Sequence, residues 1–157
     1  DDRVNEEREV DFGFVADVDG VNTEAFESLL LLDSVPIVAS LVADAEGNIL
    51  NINADTLASE LAISMKASKL IQLTGVDGVM GDINDPGSLM SVLTVAETEK
   101  LLKDPSISGG MIPKLKNAVN ALNGGVNQVH IISGTKHDAI LQEIFTNEGS
   151  GTMIVRE

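Results

Sequence analysis

Apolar and polar positions repeat along the chain with two periods, one typical of strands and the other of helices. Five segments have the length and polarity of strands, and the first and third are apolar enough for burial in a parallel sheet. They are 35–42, 49–52, 69–76, 126–132 and 151–155. Apolar residues at helical spacing mark five further segments, at 23–33, 53–67, 94–103, 111–122 and 137–145. This alternation predicts an α/β fold with a largely parallel sheet and helices on both faces.

Capping residues indicate where three of these helices begin. Thr23 is the predicted cap of the first helix, and Asn53 or Asp55 is that of the second. Thr94, followed three positions later by Glu97, has the form of a capping box. These signals place the polar residues just before the second helix at a helix N-terminus.

The composition fits one domain and excludes several classes of partner. The chain has 157 residues, and 43% of them are hydrophobic, which is enough for a core. A formal net charge of −15 argues against nucleic acid or an anionic membrane, since both require a basic surface. The apolar runs are too short to span a bilayer. A phosphate site here must depend on one or two lysines, backbone N–H groups, helix N-termini and a divalent cation.

The cellular location is suggested by what the sequence lacks. There is no cysteine, which fits a reducing compartment, and the acidic N-terminus shows no signal peptide. We therefore expect a cytoplasmic protein. The first ten residues are highly charged and predict an exposed strand, an arm or a disordered lead-in. No domain boundary is indicated within residues 1–157.

Three polar motifs follow predicted strands or precede predicted helices, where ligands bind in an open parallel sheet. They are 51–55, 74–79 and 108–114. In the first, two amides and a carboxylate either cap the helix, or orient a substrate while the carboxylate fixes a lysine or a metal. The second is a glycine-containing turn that lets a ligand approach the backbone closely, although such turns are common.

The third motif is the most suggestive of phosphate chemistry. Gly109 and Gly110 enter a helix that carries Lys114 in its first turns, so backbone N–H groups and an ammonium group can meet phosphate charge. The alternative is an ordinary loop beside a surface lysine. The chain has no P-loop motif and no Gly-x-Gly-x-x-Gly motif. Two histidines without cysteine or an HExxH motif make a zinc enzyme a poor fit.

Read in order, eight segments resemble the N-acetylglutamate kinases of the amino-acid kinase family. They are Val38-Ala-Ser, Glu46-Gly47, Asn51-Ile-Asn-Ala-Asp-Thr56, Leu70-Ile-Gln-Leu-Thr-Gly-Val-Asp-Gly-Val79, Asp85-Pro-Gly-Ser-Leu89, Ile107-Ser-Gly-Gly-Met-Ile-Pro-Lys114, Val129-His-Ile-Ile132 and Phe145-Thr-Asn-Glu-Gly-Ser-Gly-Thr-Met-Ile154. The resemblance implies a three-layer α/β/α sandwich around a mostly parallel, open sheet. It also implies transfer of a phosphoryl group from Mg²⁺-ATP to the side-chain carboxylate of N-acetyl-L-glutamate, in arginine biosynthesis.

The resemblance further assigns roles to individual residues. Lys114 would stabilise the transferring phosphoryl group, and Asp55 would hold the catalytic lysines. Asn51, with Asn53 beside it, would contact the acetylated amino acid. The residues implied at the nucleotide are Thr74, Gly75, Val76, Asp77, Gly78, Val79, Met80, Ser106, Ile107, Ser108, Gly109 and Gly110. No protein side chain is implied as a metal ligand, and the cofactors are ATP and Mg²⁺.

Regulation is a second implication of the resemblance. His130, Glu143 and Gly149 match a C-terminal signature of arginine-inhibited members, although a half-buried strand histidine and a solvated glutamate would look the same. Arginine-inhibited members form hexamers, so a homo-oligomer is expected. Plant and cyanobacterial relatives respond to the PII signalling protein, and residues 38–61 resemble theirs. A plastid is then the alternative location.

Two departures from the family pattern qualify these expectations. Relatives usually carry Asp at the position of Gly75. They also begin with a Lys-x-Gly-Gly strand, followed by a glycine-rich turn and a substrate-binding Arg, and this chain has no counterpart of these. Residues 1–157 are therefore interpreted as the C-terminal, ATP-binding part, without the N-terminal substrate-binding part. The alternatives are a related acylamino-acid kinase of lysine biosynthesis and a non-catalytic arginine-sensing module, against which Lys114 and Asp55 argue.

Overall fold

The computed structural model describes residues 13–82 and 85–157. The charged segment 1–10, predicted to be an exposed arm, lies outside these described residues. The helices are α1 Thr23–Leu31, α2 Ala54–Ser64, α3 Val95–Leu101, α4 Met111–Asn123 and α5 Ala139–Phe145. The strands are β1 Leu41–Ala43, β2 Ile49–Asn51, β3 Lys69–Thr74, β4 Val92–Thr94, β5 Gln128–Ser133 and β6 Thr152–Val155. None of the described helices combines the length and apolar character needed to cross a bilayer.

Four strands form the main sheet, in the order β3-β5-β6-β4. β3 pairs with β5 in parallel, with Leu70 opposite Val129, and β4 pairs with β6 in parallel, with Leu93 opposite Ile154. The central pair, β5 and β6, is antiparallel. Two of the three neighbouring pairs are therefore parallel, which fits the predicted largely parallel sheet with one antiparallel junction.

Helices cover both faces of this sheet. Val129 and Ile131 of β5 pack into an apolar core with helices α2 and α4. His130, which alternates with them along the strand, reaches α5 instead. The residues of this core that are fully buried are Val79, Leu115, Ala118, Ala121, Leu122, Val126, Val129, Ile131 and Ile154. The three-layer α/β/α arrangement implied by the resemblance is confirmed.

The strand predicted over 35–42 is wrong for most of its length. Only Leu41 and Val42 of that segment enter β1, which forms a separate antiparallel hairpin with β2. Val35 and Ile37 are 85% and 96% exposed. A continuous apolar run predicts a strand only where both of its sides are covered. Within the described residues, that cover is absent here.

Two helix starts differ from the prediction and two are confirmed. The side chain of Asn22, rather than that of Thr23, accepts the capping hydrogen bond of α1. Asn53 caps α2, and Thr94 forms the predicted capping box of α3. Helix α5 begins two residues later than predicted because Asp138 has a left-handed conformation, with φ of 58°.

Candidate functional site

Lys114 and Asp55 meet across helices α4 and α2. The Nζ atom of Lys114 lies 2.7 Å from Oδ1 of Asp55, and the two side chains are only 17% and 24% exposed. Each residue lies in the first turn of its helix. Both interpretations of the motif at 51–55 therefore hold, because Asn53 caps α2 and Asp55 fixes a lysine.

A cleft of about 350 Å³ opens beside the N-terminal end of α4. It lies between the loop that follows β3 and the loop that precedes α4. The residues that line it are Val76, Gly78, Met80, Gly81, Asp82, Ser106, Ile107, Ser108 and Met111. Met111 and Lys114 are three positions apart, so they share one face of the helix. Lys114 itself thus lies one helical turn beyond Met111, the cleft residue of α4.

Glycines keep the neighbourhood of this helix end open. A Cβ atom built at Gly75, Gly109 or Gly110 would meet no other atom within 4 Å. Gly109 also has φ of 58°, which L side chains rarely adopt. The N-cap residue Gly110 has no side chain to cap the helix, the N–H groups of Met111 and Ile112 form long hydrogen bonds of 3.4 Å to the oxygens of Ser108 and Gly109, and Pro113 has no N–H. The partial positive charge of a helix N-terminus favours an anion at such a place.

The predicted nucleotide residues fall into two groups in the structure. Val76, Gly78, Met80 and 106–108 line the cleft, whereas Thr74, Gly75, Asp77, Val79, Gly109 and Gly110 do not. Two of the second group have other contacts. Val79 is fully buried and its N–H donates to Oγ1 of Thr152, and Asp77 pairs with Lys136 at 2.9 Å.

Asn51 and Asn53 flank the start of α2 on its exposed side. Asn51 ends β2, and its backbone N–H and C=O bond to Phe14 and Ala16. Oδ1 of Asn53 accepts from the backbone N–H groups of Asp55 and Thr56. The backbone of Asn51 and the amide oxygen of Asn53 are therefore engaged, and both residues are exposed.

A second cavity brings together the three residues of the predicted arginine site. His130, Glu143 and Gly149 all line a cavity of about 280 Å³. Nδ1 of His130 lies 2.7 Å from Oε1 of Glu143, and their side chains are 4% and 5% exposed. A Cβ atom at Gly149 would lie 2.8 Å from Oε2 of Glu143, so only glycine fits that position.

The buried carboxylate of Glu143 is held in its charged form. Burial on its own raises the pKa of Glu143, but several hydrogen bonds outweigh that effect and lower the pKa below its ordinary value. His130 contributes the largest lowering, and the backbone N–H groups of Ser150 and Gly151 add to it. The wall of the cavity therefore contains the charged carboxylate of Glu143, and it also contains the acidic Glu148 and the basic Lys69.

Sequence reasoning missed three residues of the cleft wall. These are Gly81, Asp82 and Met111. Met111 was predicted as the first residue of a helix, and a helix start beside a glycine pair is itself a signal for a residue that faces a ligand. Gly81 and Asp82 follow the recognised turn directly, and nothing in their residue types marks them.

The structure thus combines a three-layer α/β/α fold with a cleft and with a half-buried lysine–aspartate pair at a helix N-terminus. This is the combination that the resemblance implies for an amino-acid kinase. The family follows from sequence comparison. The chain belongs to the amino acid kinase family, whose model matches residues 4–133.

Curated relatives and a solved structure agree with this assignment. The chain is 45% identical over 155 residues to an acetylglutamate kinase of Methanococcus vannielii, covering 99% of this chain and 53% of the relative. It is 48% identical over 152 residues to that of Methanocaldococcus jannaschii, covering 97% of this chain and 51% of the relative. The chain thus spans about half the length of the curated relatives that it matches.

The solved structure is an N-acetylglutamate synthase from Neisseria gonorrhoeae, in complex with coenzyme A and L-arginine. It superposes with a TM-score of 0.85 at 28% identity, covering 92% of this chain and 33% of the synthase. The fold is therefore shared with a protein that is named a synthase rather than a kinase.

Proposed function

We propose that residues 1–157 form the nucleotide-binding part of an acetylglutamate kinase. The observation that carries this proposal is the Lys114–Asp55 pair, at 2.7 Å, with Lys114 one helical turn beyond Met111, the cleft residue of α4. The names of the Methanococcus vannielii and Methanocaldococcus jannaschii relatives favour this kinase over one of lysine biosynthesis. The acceptor of the phosphoryl group is then the side-chain carboxylate of N-acetyl-L-glutamate.

In this proposal the chain contributes charge and position rather than covalent chemistry. The nucleotide lies in the cleft, its phosphates toward the N-terminal end of α4. The ammonium of Lys114 stabilises the negative charge on the transferring phosphoryl group, and Asp55 keeps that ammonium in place. Asn51 and Asn53 offer amide N–H groups to the acceptor molecule, in accord with the resemblance.

Mg²⁺ would accompany the nucleotide phosphates in this scheme. The described residues hold no group of three or more acidic or histidine side chains arranged for a metal ion. Mg²⁺ usually keeps several waters and binds through phosphates with one or two carboxylates, so no dedicated cage is required. Asp82, on the cleft wall, supplies a carboxylate of the kind that binds Mg²⁺ in this way.

Calorimetric titration of Mg²⁺-ATP into the chain tests the proposal. We expect binding that weakens about tenfold or more in Lys114→Ala, since a charge-assisted bond to phosphate is lost. Lys116→Ala is the matched control, because Lys116 is an exposed lysine of the same helix. Absence of binding by a folded wild-type chain, or equal weakening in both variants, would refute the proposal.

A second function, binding of L-arginine, is favoured by the cavity at His130 and Glu143. Its two glutamates suit a guanidinium group, Lys69 on the same wall suits a carboxylate, and the Neisseria gonorrhoeae synthase was solved with L-arginine. We expect Glu148→Gln to weaken arginine binding and to leave Mg²⁺-ATP binding unchanged. Glu99→Gln, on exposed α3 surface, is the control. Arginine binding without any ATP binding would support the non-catalytic arginine-sensing module instead.

The remaining elements of the proposal derive from the family resemblance alone. They are a homo-oligomeric state, allosteric control by arginine, control by the PII protein, and a cytoplasmic location with a plastid as the alternative. Size measurement of the purified chain with and without L-arginine tests the first two together. A change in apparent mass with arginine is the expected result.

A further inference from the structure

Helices α2 and α4 pack through unusually small and polar side chains. Only Ser59 and Ala62 of α2 are buried, and Ser59 is completely so. Ala118 and Ala121 are fully buried on the α4 side. Small side chains let two helices approach closely but resist sliding little, and the larger side chain of Ile63 on α2 packs against Gly124, at the opposite end of α4 from Lys114.

A ladder of hydrogen bonds joins the two helices along this contact. Oγ of Ser59 donates to the main-chain oxygen of Asn117 at 3.1 Å, and Nδ2 of Asn117 lies 3.4 Å from Oγ1 of Thr56. One turn further on, Nδ2 of Asn120 donates to Oε1 of Glu60 at 2.9 Å and lies 3.5 Å from Oγ of Ser59. We call these five residues the α2–α4 ladder.

The ladder ends at the candidate catalytic pair. Asp55 directly precedes Thr56 on α2, and Lys114 lies one turn before Asn117 on α4. The ion pair at 2.7 Å is therefore the next cross-helix contact after the Asn117–Thr56 contact. Since hydrogen bonds are directional and depend steeply on distance, the ladder selects one register of α2 against α4. That register is the one that brings Lys114 to Asp55.

We propose that Ser59 and Asn117 are positioning residues for Lys114. They touch neither the cleft nor the ion pair, and they act by fixing the register of the two helices that carry it. What Lys114 does once positioned rests on the kinase function proposed above. The placement itself is a statement about geometry, so it is testable without any nucleotide.

The placement can be measured by the reactivity of the Lys114 amine toward trace acetic anhydride, with mass spectrometry as the readout. Lys114 is 17% exposed and held by Asp55, whereas Lys116 on the same helix is exposed and serves as an internal reference. In Ser59→Ala/Asn117→Ala we expect the Lys114:Lys116 labelling ratio to rise about threefold or more. A change of about threefold corresponds to the low end of the coupling free energies between neighbouring residues. Ser59→Ala alone, which keeps the packing, should shift the ratio in the same direction.

A matched control separates positioning from general loss of stability. Ala62→Gly lowers the helix propensity of α2 and removes a buried methyl group, but it leaves every ladder bond in place. Its labelling ratio should remain that of the wild type. A ratio that is unchanged in the ladder variants, or that rises equally in Ala62→Gly, would overturn the proposal.

Nucleotide binding then connects the placement to function through a double-mutant cycle. If the ladder positions Lys114, then Lys114→Met should weaken Mg²⁺-ATP binding less in the Ser59→Ala/Asn117→Ala background than in the wild type. The proposed function fails if the wild-type chain binds no nucleotide, whatever the labelling shows. The positioning proposal fails on the labelling ratio alone, so the two failures are distinguishable.

Discussion

The part of the chain at 13–53 and the part at 54–157 have similar apolar sequences but bury them very differently. Helix α1 has no buried residue, although three of its last four residues are leucine. Helix α4 has four buried residues, among them Leu115 and Leu122, which are fully buried. The comparison shows that an apolar pattern marks a segment that can be buried. The segment is buried only where another part of the structure packs against it.

The exposed apolar residues of the first part form what we call the N-terminal apolar surface. It comprises Phe14, Val15, Leu29, Leu30, Leu31, Leu32, Val35, Ile37, Val38, Leu41 and Ile49, each at least 44% exposed. Apolar exposure on this scale is typical of a surface that binds another protein segment, a membrane or a ligand. In the second part fewer large apolar side chains are exposed, namely Leu73, Val92 and four residues of α5, and the described core is closed by α2, α3 and α4.

The largest expected effect comes from removing a core side chain in the second part. Leu115→Ala should lower the free energy of unfolding by about 3 kcal/mol, because it removes fully buried methyl groups and leaves a cavity. Ile37→Ala, the counterpart in the N-terminal apolar surface, should change it by less than about 0.5 kcal/mol. Urea denaturation of both variants makes the comparison. Similar losses would mean that Ile37 is buried in solution.

The buried Glu143 makes the stability of the second part of the chain depend on pH. Its pKa is lowered in the folded state, so the unfolded chain binds the proton more readily. This stabilisation is complete above the ordinary glutamate pKa of about 4.3 and is lost as the pH falls through the lower, folded value. We expect Glu143→Gln to make the unfolding free energy depend less on pH in that acidic range.

Thermal unfolding followed by circular dichroism from about pH 3 to pH 7 measures this dependence. Asp138→Asn is the control, because that carboxylate is exposed and pairs with the exposed His137. If Glu143→Gln and Asp138→Asn alter the pH dependence alike, Glu143 is not the group responsible.

A smaller effect of opposite sign is expected at Gln72, in the middle of β3. Its side chain is 4% exposed, and neither atom of its carboxamide has a hydrogen-bond partner among the described residues. A buried unsatisfied amide is unfavourable, so Gln72→Leu should raise the unfolding free energy by about 1 kcal/mol. Urea denaturation measures the change, with Leu70→Met as a volume-conserving control on the same strand. A loss of stability would show that the amide has a partner in solution.

Much of the second part is predictable from the sequence because its signals are local. The capping box at Thr94, the cap at Asn53 and the glycine pair before α4 each fix a boundary by short-range chemistry. The role of Asp55 as a partner for a lysine was one of two interpretations. Only the packing of α2 on α4 decides between them, since Asp55 and Lys114 are 59 positions apart.

The errors lie where the outcome depends on distant contacts. The run 35–42 has the composition of a buried strand, but no described strand pairs with 35–40, where Val35, Ile37 and Val38 are exposed. β4 was not predicted because its three residues form a strand only through pairing with β6, about 60 positions later. Val79, which the resemblance places at the nucleotide, has a fully buried side chain and an N–H that donates to Thr152, and its place in the motif does not reveal this packing.

The smallest effect on stability is expected from polar substitution in the N-terminal apolar surface, and it sharpens the comparison most. Ile37→Ser should leave the unfolding free energy within about 0.5 kcal/mol of the wild type, because the side chain is 96% exposed. It should nevertheless reduce the fluorescence of a hydrophobic dye such as ANS, since that dye binds exposed apolar surface. Leu73→Ser, at a 49% exposed leucine of the second part, is the matched control and should reduce the fluorescence less. Equal reductions would show that apolar exposure is not concentrated in the first part, and the contrast between the two parts would not hold in solution.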